Sequence, residues 1–190
     1  MSRHRRSFAI ARRFVDPASL VFLDESGAKT NMTRLYGRSP KGERLYDAVP
    51  HGHWGTTTML SAIRLEGVIE PASLVYDGPT DAAVFLTYVE GCLAPALRPG
   101  DLVVMDNLSS HKVKGVVEAI HAVGADVWYL PPYSPDLNPI EMMWSKVKSI
   151  LRSIAARTAE TLRQAIGTAL KAVTPSDLMG YFHHAGYIVH

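Results

Sequence analysis

Apolar and polar positions along this chain fall into two rhythms, continuous apolar runs and helical periods. The run SLVFLDES (19–26) stays apolar until it meets acids, which predicts a buried strand carrying Asp24 near its end. Residues 56–67 and 67–78 are rich in Thr, Ile, Val and Leu and meet at Glu66-Gly67. That pattern predicts two antiparallel strands with a tight connection. Thr80 or Asp81 can cap a helix reaching about Leu97, with Val84, Leu86, Tyr88, Val89 and Leu93 on its apolar side. Pro99-Gly100 breaks it, and DLVVMD (101–106) is a strand that again ends in an acid. Apolar residues at 113, 116, 117 and 120 predict a helix over 111–123, closed by Gly124. DVWYLP (126–131) is a further short strand, followed by a proline-rich loop. Helices then span 139–156 and 160–173, and Pro175-Ser176-Asp177 opens a last one.

Strands joined through helices run parallel, whereas the tight connection supplies antiparallel partners. The order therefore predicts an α/β fold, a mixed central sheet of the ribonuclease H-like kind with helices on both faces. Residues 1–16 read as a basic N-terminal arm or linker and 17–190 as one domain, which 190 residues can fill.

Composition narrows the class without choosing the chemistry. The chain is 47% hydrophobic and 20% charged, an ordinary globular balance. No apolar run nears the roughly 18 residues of a membrane span, and the arginine-rich start lacks the apolar core of a secretory signal. The expected location is the cytoplasm, with no membrane partner. A single cysteine, Cys92, rules out an internal disulfide framework and a thiolate metal cluster. Charge is uneven: residues 1–44 carry ten Lys or Arg against four acids, while residues 45–110 carry two against eight. A basic start beside an acidic middle suits a protein that grips a polyanion and keeps carboxylates for another purpose, although a solvated arm would look the same.

The acids supply that purpose. Asp24 and Asp106 each close a strongly apolar strand, and open α/β sheets carry their chemistry beyond the carboxyl ends of such strands. Two carboxylates brought together repel unless a cation lies between them, and Mg²⁺ prefers oxygen ligands. In LPPYSPDLNPIEMMWSKVK (130–148), Asn138 can cap a helix whose first residue is Pro139, which puts Glu141 in the first turn. Ile140, Met143, Trp144, Val147, Leu151 and Ile154 form the core stripe of that helix. Glu141, Ser145, Lys148 and Arg152 lie along an adjacent face. Taken singly, Glu141 could be a capping-box glutamate and each aspartate a turn cap.

FLDESG, VVMDNLSSHK and LPPYSPDLNPIEMMW, in that order, resemble the catalytic domain of DDE transposases. The likeness is to the branch of bacterial insertion sequences related to the Tc/mariner superfamily. MTRLYGRSPKGER and HGHWGTTT also look like stretches of that family, so the resemblance runs from about 16 to 187. Thirty-four residues separate Asp106 from Glu141, the spacing usual in that branch. The resemblance implies that Asp24, Asp106 and Glu141 bind metal and catalyse two-metal phosphoryl transfer, with two Mg²⁺ ions per site and Mn²⁺ able to substitute. It implies double-stranded DNA as partner, in the form of transposon ends and a TA-type target, held by a homodimer in a bacterial, nucleoid-associated setting. It also implies a helix-turn-helix half, for which these residues leave no room and which some relatives encode separately.

Other residues fit around this reading. Asn107 and His111 are candidates to orient Asp106 or to touch a phosphate. Arg34, Arg38, Lys41 and Arg44, with Lys148 and Arg152, are candidates to follow a DNA backbone, and solubility alone is their alternative. Asp136 reads as a turn former, and Glu25 should face away from Asp24. His51, His53 and Trp54 suit a polar or DNA-contacting loop better than zinc, because a third ligand is missing. A ribonuclease H or a junction resolvase of the same fold leaves SPDLNPIE unexplained. A non-cutting, DNA-binding fragment is the remaining alternative.

Overall fold

The computed structural model describes residues 3–34, 36–51 and 55–187, with Ser109 and Ser110 described by their backbone alone. Among these residues, six strands form one mixed sheet: β1 Leu20–Lys29, β2 Thr56–Arg64, β3 Gly67–Val68, β4 Leu74–Asp77, β5 Leu102–Met105 and β6 Asp126–Tyr129. Their order is β3-β2-β1-β5-β6, and β4 also pairs with β2. β1 runs antiparallel to β2 and parallel to β5, which in turn runs parallel to β6.

The second half of the expected hairpin is interrupted. β3 pairs at Ile63 and Arg64 and β4 at Thr57 to Leu60, successive stretches of one side of β2. Between them Glu70–Ala72 forms a 3-10 turn around Pro71, which has no N–H to offer a ladder.

Among the described residues, six α-helices flank the sheet: α1 Arg3–Ala11, α2 Ala82–Tyr88, α3 Val116–His121, α4 Pro139–Ile154, α5 Ala159–Lys171 and α6 Pro175–His184. Side chains alternate across β1 as its pleat requires. Leu20 and Phe22 join a core with α4, α5 and α6, while Val21 and Leu23 join another with α2 and α3. Each fully buried Leu or Phe stabilises the fold by about 1.5–3 kcal/mol.

Two helices are shorter than their periodicity predicts. Asp81 caps α2, accepting from Val84 N at 2.8 Å. Beyond Tyr88 the chain loosens into a π turn over Val89–Leu93 and a 3-10 turn over Ala94–Ala96, where Pro95 removes a donor. The apolar period over 111–123 spans a 3-10 turn (Ser109–Lys112) and α3, separated at Gly115, whose φ of 105° is open to glycine.

Within the expected basic arm, α1 lies on the domain: Phe8 is buried and stacks on Trp128 of β6, with ring centroids 4.1 Å apart. Among the described residues, no helix is long and apolar enough to cross a membrane.

Candidate active site

The register of β1 and β5 builds the centre of the site. Leu20 pairs with Leu102 and Phe22 with Val104, and the same step carried two residues further sets Asp24 level with Asp106, just past the end of the parallel strand β5. Such strands lie about 4.8 Å apart. Phe22 and Val104 both face the α4 side of the sheet, and alternation puts Asp24 and Asp106 on that side too. β6 runs beside β5, and Leu130 N donates to Met105 O at 2.9 Å, which starts the proline loop next to Asp106. The loop returns the chain as α4, whose Ile140, Met143, Trp144 and Val147 are buried against the sheet. Glu141 is therefore carried to the sheet end where the two aspartates stand.

The three carboxylates open onto one cleft of about 480 Å³, lined also by Asn107, Leu130, Tyr133, Ser134 and Asn138. Asp24 is only 8% exposed, whereas Glu141 is exposed. Asp24 Oδ1 accepts from Glu25 N at 2.8 Å and Asp106 Oδ1 from Leu108 N at 3.2 Å. The turn-capping reading is thus true of one oxygen of each aspartate, and Oδ2 of each has no hydrogen bond among the described residues. The capping-box reading of Glu141 does not hold: Asn138 N donates to Pro135 O at 3.0 Å, and no side-chain bond caps α4.

Burial, reinforced by the charge of Glu141 and then of Asp106, pushes the Asp24 carboxyl up to about 8, against an opposing hydrogen bond from Glu25 N. The three acids are electrostatically coupled, and a cation between them would relieve the strain. Among the described residues, no three acid, histidine or cysteine side chains are already drawn into a cage. The donor set fits a hard divalent cation all the same: every ligand is a carboxylate oxygen and their mutual repulsion is unrelieved.

His111 is buried against Phe85, with ring centroids 4.2 Å apart, and its Nδ1 comes within 2.6 Å of Asp106 Oδ1. The approach is close but badly angled, so neither ring nitrogen completes a hydrogen bond. Asn107 lines the cleft, as expected of a residue beside the second aspartate.

The cationic candidates are not gathered in the cleft. Arg34 and Arg152 share a separate hollow of about 450 Å³ with Tyr36, Ser149 and Ile150. Arg38, Lys41 and Arg44 are exposed, and Arg44 lies over the Tyr46 ring at 5.6 Å. Lys148 is half-buried one turn before Arg152 and lines neither space. Ile154, expected in the core stripe of α4, is 45% exposed as the last residue of the helix, where left-handed Ala155 turns the chain away. Asp136 pairs with Arg5 instead of entering the cleft, and Arg5 holds its carboxyl below the usual range. Glu25 lies beyond the cleft wall. His51 is exposed, and His53 and Trp54 lie outside the described residues.

Two contributors escape a reading of the sequence. Asn138 signals a helix cap, yet its side chain is buried at the cleft wall with Oδ1 unpartnered. Arg5 signals only basic charge, and its partners stand 128 to 131 positions away.

A family profile described as DDE superfamily endonuclease matches residues 19–163, which spans β1, β5 and α4 with all three carboxylates. The chain belongs to this family. DDE endonuclease membership agrees with the solved structures of similar fold. The Mos1 transposase paired-end complex with left transposon end matches at a TM-score of 0.74 and 19% identity, covering 95% of this chain and 57% of that one. The mariner Mos1 paired end complex with Mg matches at 0.74 and 18%, covering 95% and 57%. The catalytic domain of Mos1 mariner transposase matches at 0.65 and 15%, covering 96% of this chain and 89% of that one. The likeness establishes the ribonuclease H-like fold, and this chain spans less than two thirds of the longer Mos1 chains. No curated protein sequence matches.

Proposed function

We propose that this DDE endonuclease chain is the catalytic domain of a transposase, which cuts transposon ends and joins them to target DNA. The observation that carries the reading is that Asp24, Asp106 and Glu141 line one cleft at the ends of the parallel strands β1 and β5. We assign Asp24, Asp106 and Glu141 as ligands of Mg²⁺ or Mn²⁺, two ions per site. Mos1 structures with Mg and with Mn support the choice of a divalent metal. When bound, the ions supply activation of a hydroxyl nucleophile and neutralisation of phosphate charge.

The remaining work belongs to the chain. Asp24, raised toward its protonated form by burial, would hold a cation only in its deprotonated form. His111 restrains Asp106, and the prolines of the loop restrict how far Glu141 can wander. Asn107 and Asn138 present polar groups at the cleft wall, where a phosphate or an attacking water would sit. Arg34 and Arg152 offer a backbone-binding hollow, with Arg38, Lys41, Arg44 and Lys148 as more distant phosphate contacts. Double-stranded transposon ends, a TA-type target, a homodimer on DNA and a separate helix-turn-helix half complete the proposal. So does its place in the bacterial insertion-sequence branch of the Tc/mariner superfamily, at work on nucleoid DNA in the cytoplasm. Complexes of Mos1 with transposon ends support the DNA partner.

The test is nicking of supercoiled plasmid by the 190-residue chain with Mg²⁺ or Mn²⁺, beside Asp106→Asn. Metal-dependent nicking that disappears in the variant supports the reading. Equal nicking by both proteins would sink the assignment of the carboxylates.

A further inference from the structure

We propose that Arg5 is a positioning residue which couples helix α1 to the loop presenting Glu141, an inference that rests on the cleft being the reactive site. Arg5 Nη1 donates to Tyr133 O at 3.2 Å, to Ser134 Oγ at 3.0 Å and to Asp136 Oδ1 at 3.0 Å. Nη2 donates to Asp136 Oδ2 at 2.5 Å. One guanidinium thus ties three residues of the stretch between β6 and α4. The planar fork of arginine suits this arrangement, since its two nitrogens hold both Asp136 oxygens side by side, a two-point grip that the single nitrogen of a lysine does not reproduce.

The loop needs an outside anchor for a physical reason. Tyr133 has a φ of 54°, a left-handed conformation that costs a non-glycine residue about 1 kcal/mol or more. The residue is 99% exposed, so no packing of its own holds it there. Pro131, Pro132 and Pro135 stiffen the chain, but they supply no N–H with which to fasten it. Ser134 Oγ, while accepting from Arg5, donates to Pro132 O at 3.2 Å, so the arginine also steadies the internal bond of the loop. A second anchor lies further on, where the buried Tyr187 hydroxyl donates to Leu137 O at 2.8 Å. Glu141 follows directly as the first turn of α4. α1 is itself held by the stack of Phe8 on Trp128, and the turn after it by Arg12 donating to Ala185 O at 2.5 Å. Movement of α1 is therefore transmitted to the placement of Glu141.

A purely structural ion pair here would matter little, because Asp136 is 58% exposed and exposed pairs contribute about 0–1 kcal/mol. The two roles give different results when Arg5→Ala, Arg5→Lys and Asp136→Ala are compared with the unchanged chain. Leu137, Asn138 and Glu141 donate their amides to Ser134, Pro135 and Asn138 carbonyls, so hydrogen exchange reports the order of the loop. For Arg5→Ala the expected result is faster exchange at those amides and Mn²⁺ binding weakened several-fold. Cleavage at saturating DNA should fall about tenfold with KM unchanged, since small misplacements of a reacting group act on the chemical step. Arg5→Lys should recover part of the loss, and Asp136→Ala should reproduce most of it. Unchanged exchange and Mn²⁺ affinity in both Arg5→Ala and Asp136→Ala would overturn the coupling. Should the unchanged chain bind Mn²⁺ without cutting DNA, exchange and affinity still decide the role of Arg5. The failure would then fall on the proposed reaction.

Discussion

The two aspartates and the glutamate of the cleft are held by different kinds of structure. Asp24 lies within β1 and Asp106 directly after β5, so both take their places from strands joined by a hydrogen-bonded ladder, with a buried core on both faces of the sheet. Glu141 stands at the head of a helix, exposed, behind a loop fastened by a distant arginine and a tyrosine hydroxyl. A ladder sets position to a fraction of an ångström without help from side chains. A loop must be tied, residue by residue, to reach similar accuracy. On the proposed reading, two fixed carboxylates and one adjustable one let the cleft close around a cation that relieves their mutual repulsion.

The sharpest break of the comparison is chemical. Asp106→Asn and Glu141→Gln should each lower cleavage by about a thousandfold or more, because each removes a charged ligand from a unit that works together. Melting temperatures close to that of the unchanged chain would show that the fold is intact, and residual cutting above a few per cent would refute the assignment.

A second test separates loop from ladder. Leu137→Ala and Leu93→Ala each empty a buried leucine site, at about 2–4 kcal/mol apiece in urea unfolding. Leu93 lies in the core on the opposite face, so cleavage per folded molecule should survive its loss. Leu137 anchors the loop, and its loss should depress cleavage even after correction for the unfolded fraction. Equal residual activities would mean that the loop needs no anchoring.

Protons probe the fixed pair. The Asp24 carboxyl stands at about 8 in the folded chain against an ordinary value near 3.8. Between those values the folded state holds a proton that the unfolded state has lost, so stability without metal falls as pH rises through that window. Asp24→Asn should remove this slope and raise Tm at pH 8 by roughly 5 °C. Mg²⁺ competes with the same proton, so its affinity for the unchanged chain should climb toward pH 8. Thermal melts from pH 5 to 8, with and without Mg²⁺, check both signs.

The smallest effect belongs to the far end of α4. Ala155 terminates the helix at a φ of 54°, where glycine is at ease and alanine is not. Ala155→Gly should stabilise the chain by about 0.5–1 kcal/mol and leave cleavage unchanged, as calorimetry beside the plasmid assay would show.

What could be read beforehand follows the same division. Asp24 and Asp106 were legible because apolar runs announce central strands and an acid at the end of such a run stands out. Glu141 was legible from Asn138-Pro139, a helix start written in two residues. Their convergence was legible only through family resemblance, because register between β1 and β5 is not a local property. The broken partner of β2 follows from Pro71, and the short α3 from Gly115, local signals outweighed by apolar patterning around them. Arg5 could not be found from the sequence, since nothing near it announces a partner more than a hundred positions away.

The parallel pairing of β1 and β5 also bears on how such chains can change in length. The stretch between these strands, which holds β2, β3, β4 and α2, can gain or lose residues in its connections without moving either aspartate. One residue inserted between Leu102 and Asp106 would turn the second carboxylate to the α2 face and silence the cleft. Length variation among working copies should therefore gather in the connections and stop abruptly at the two strands.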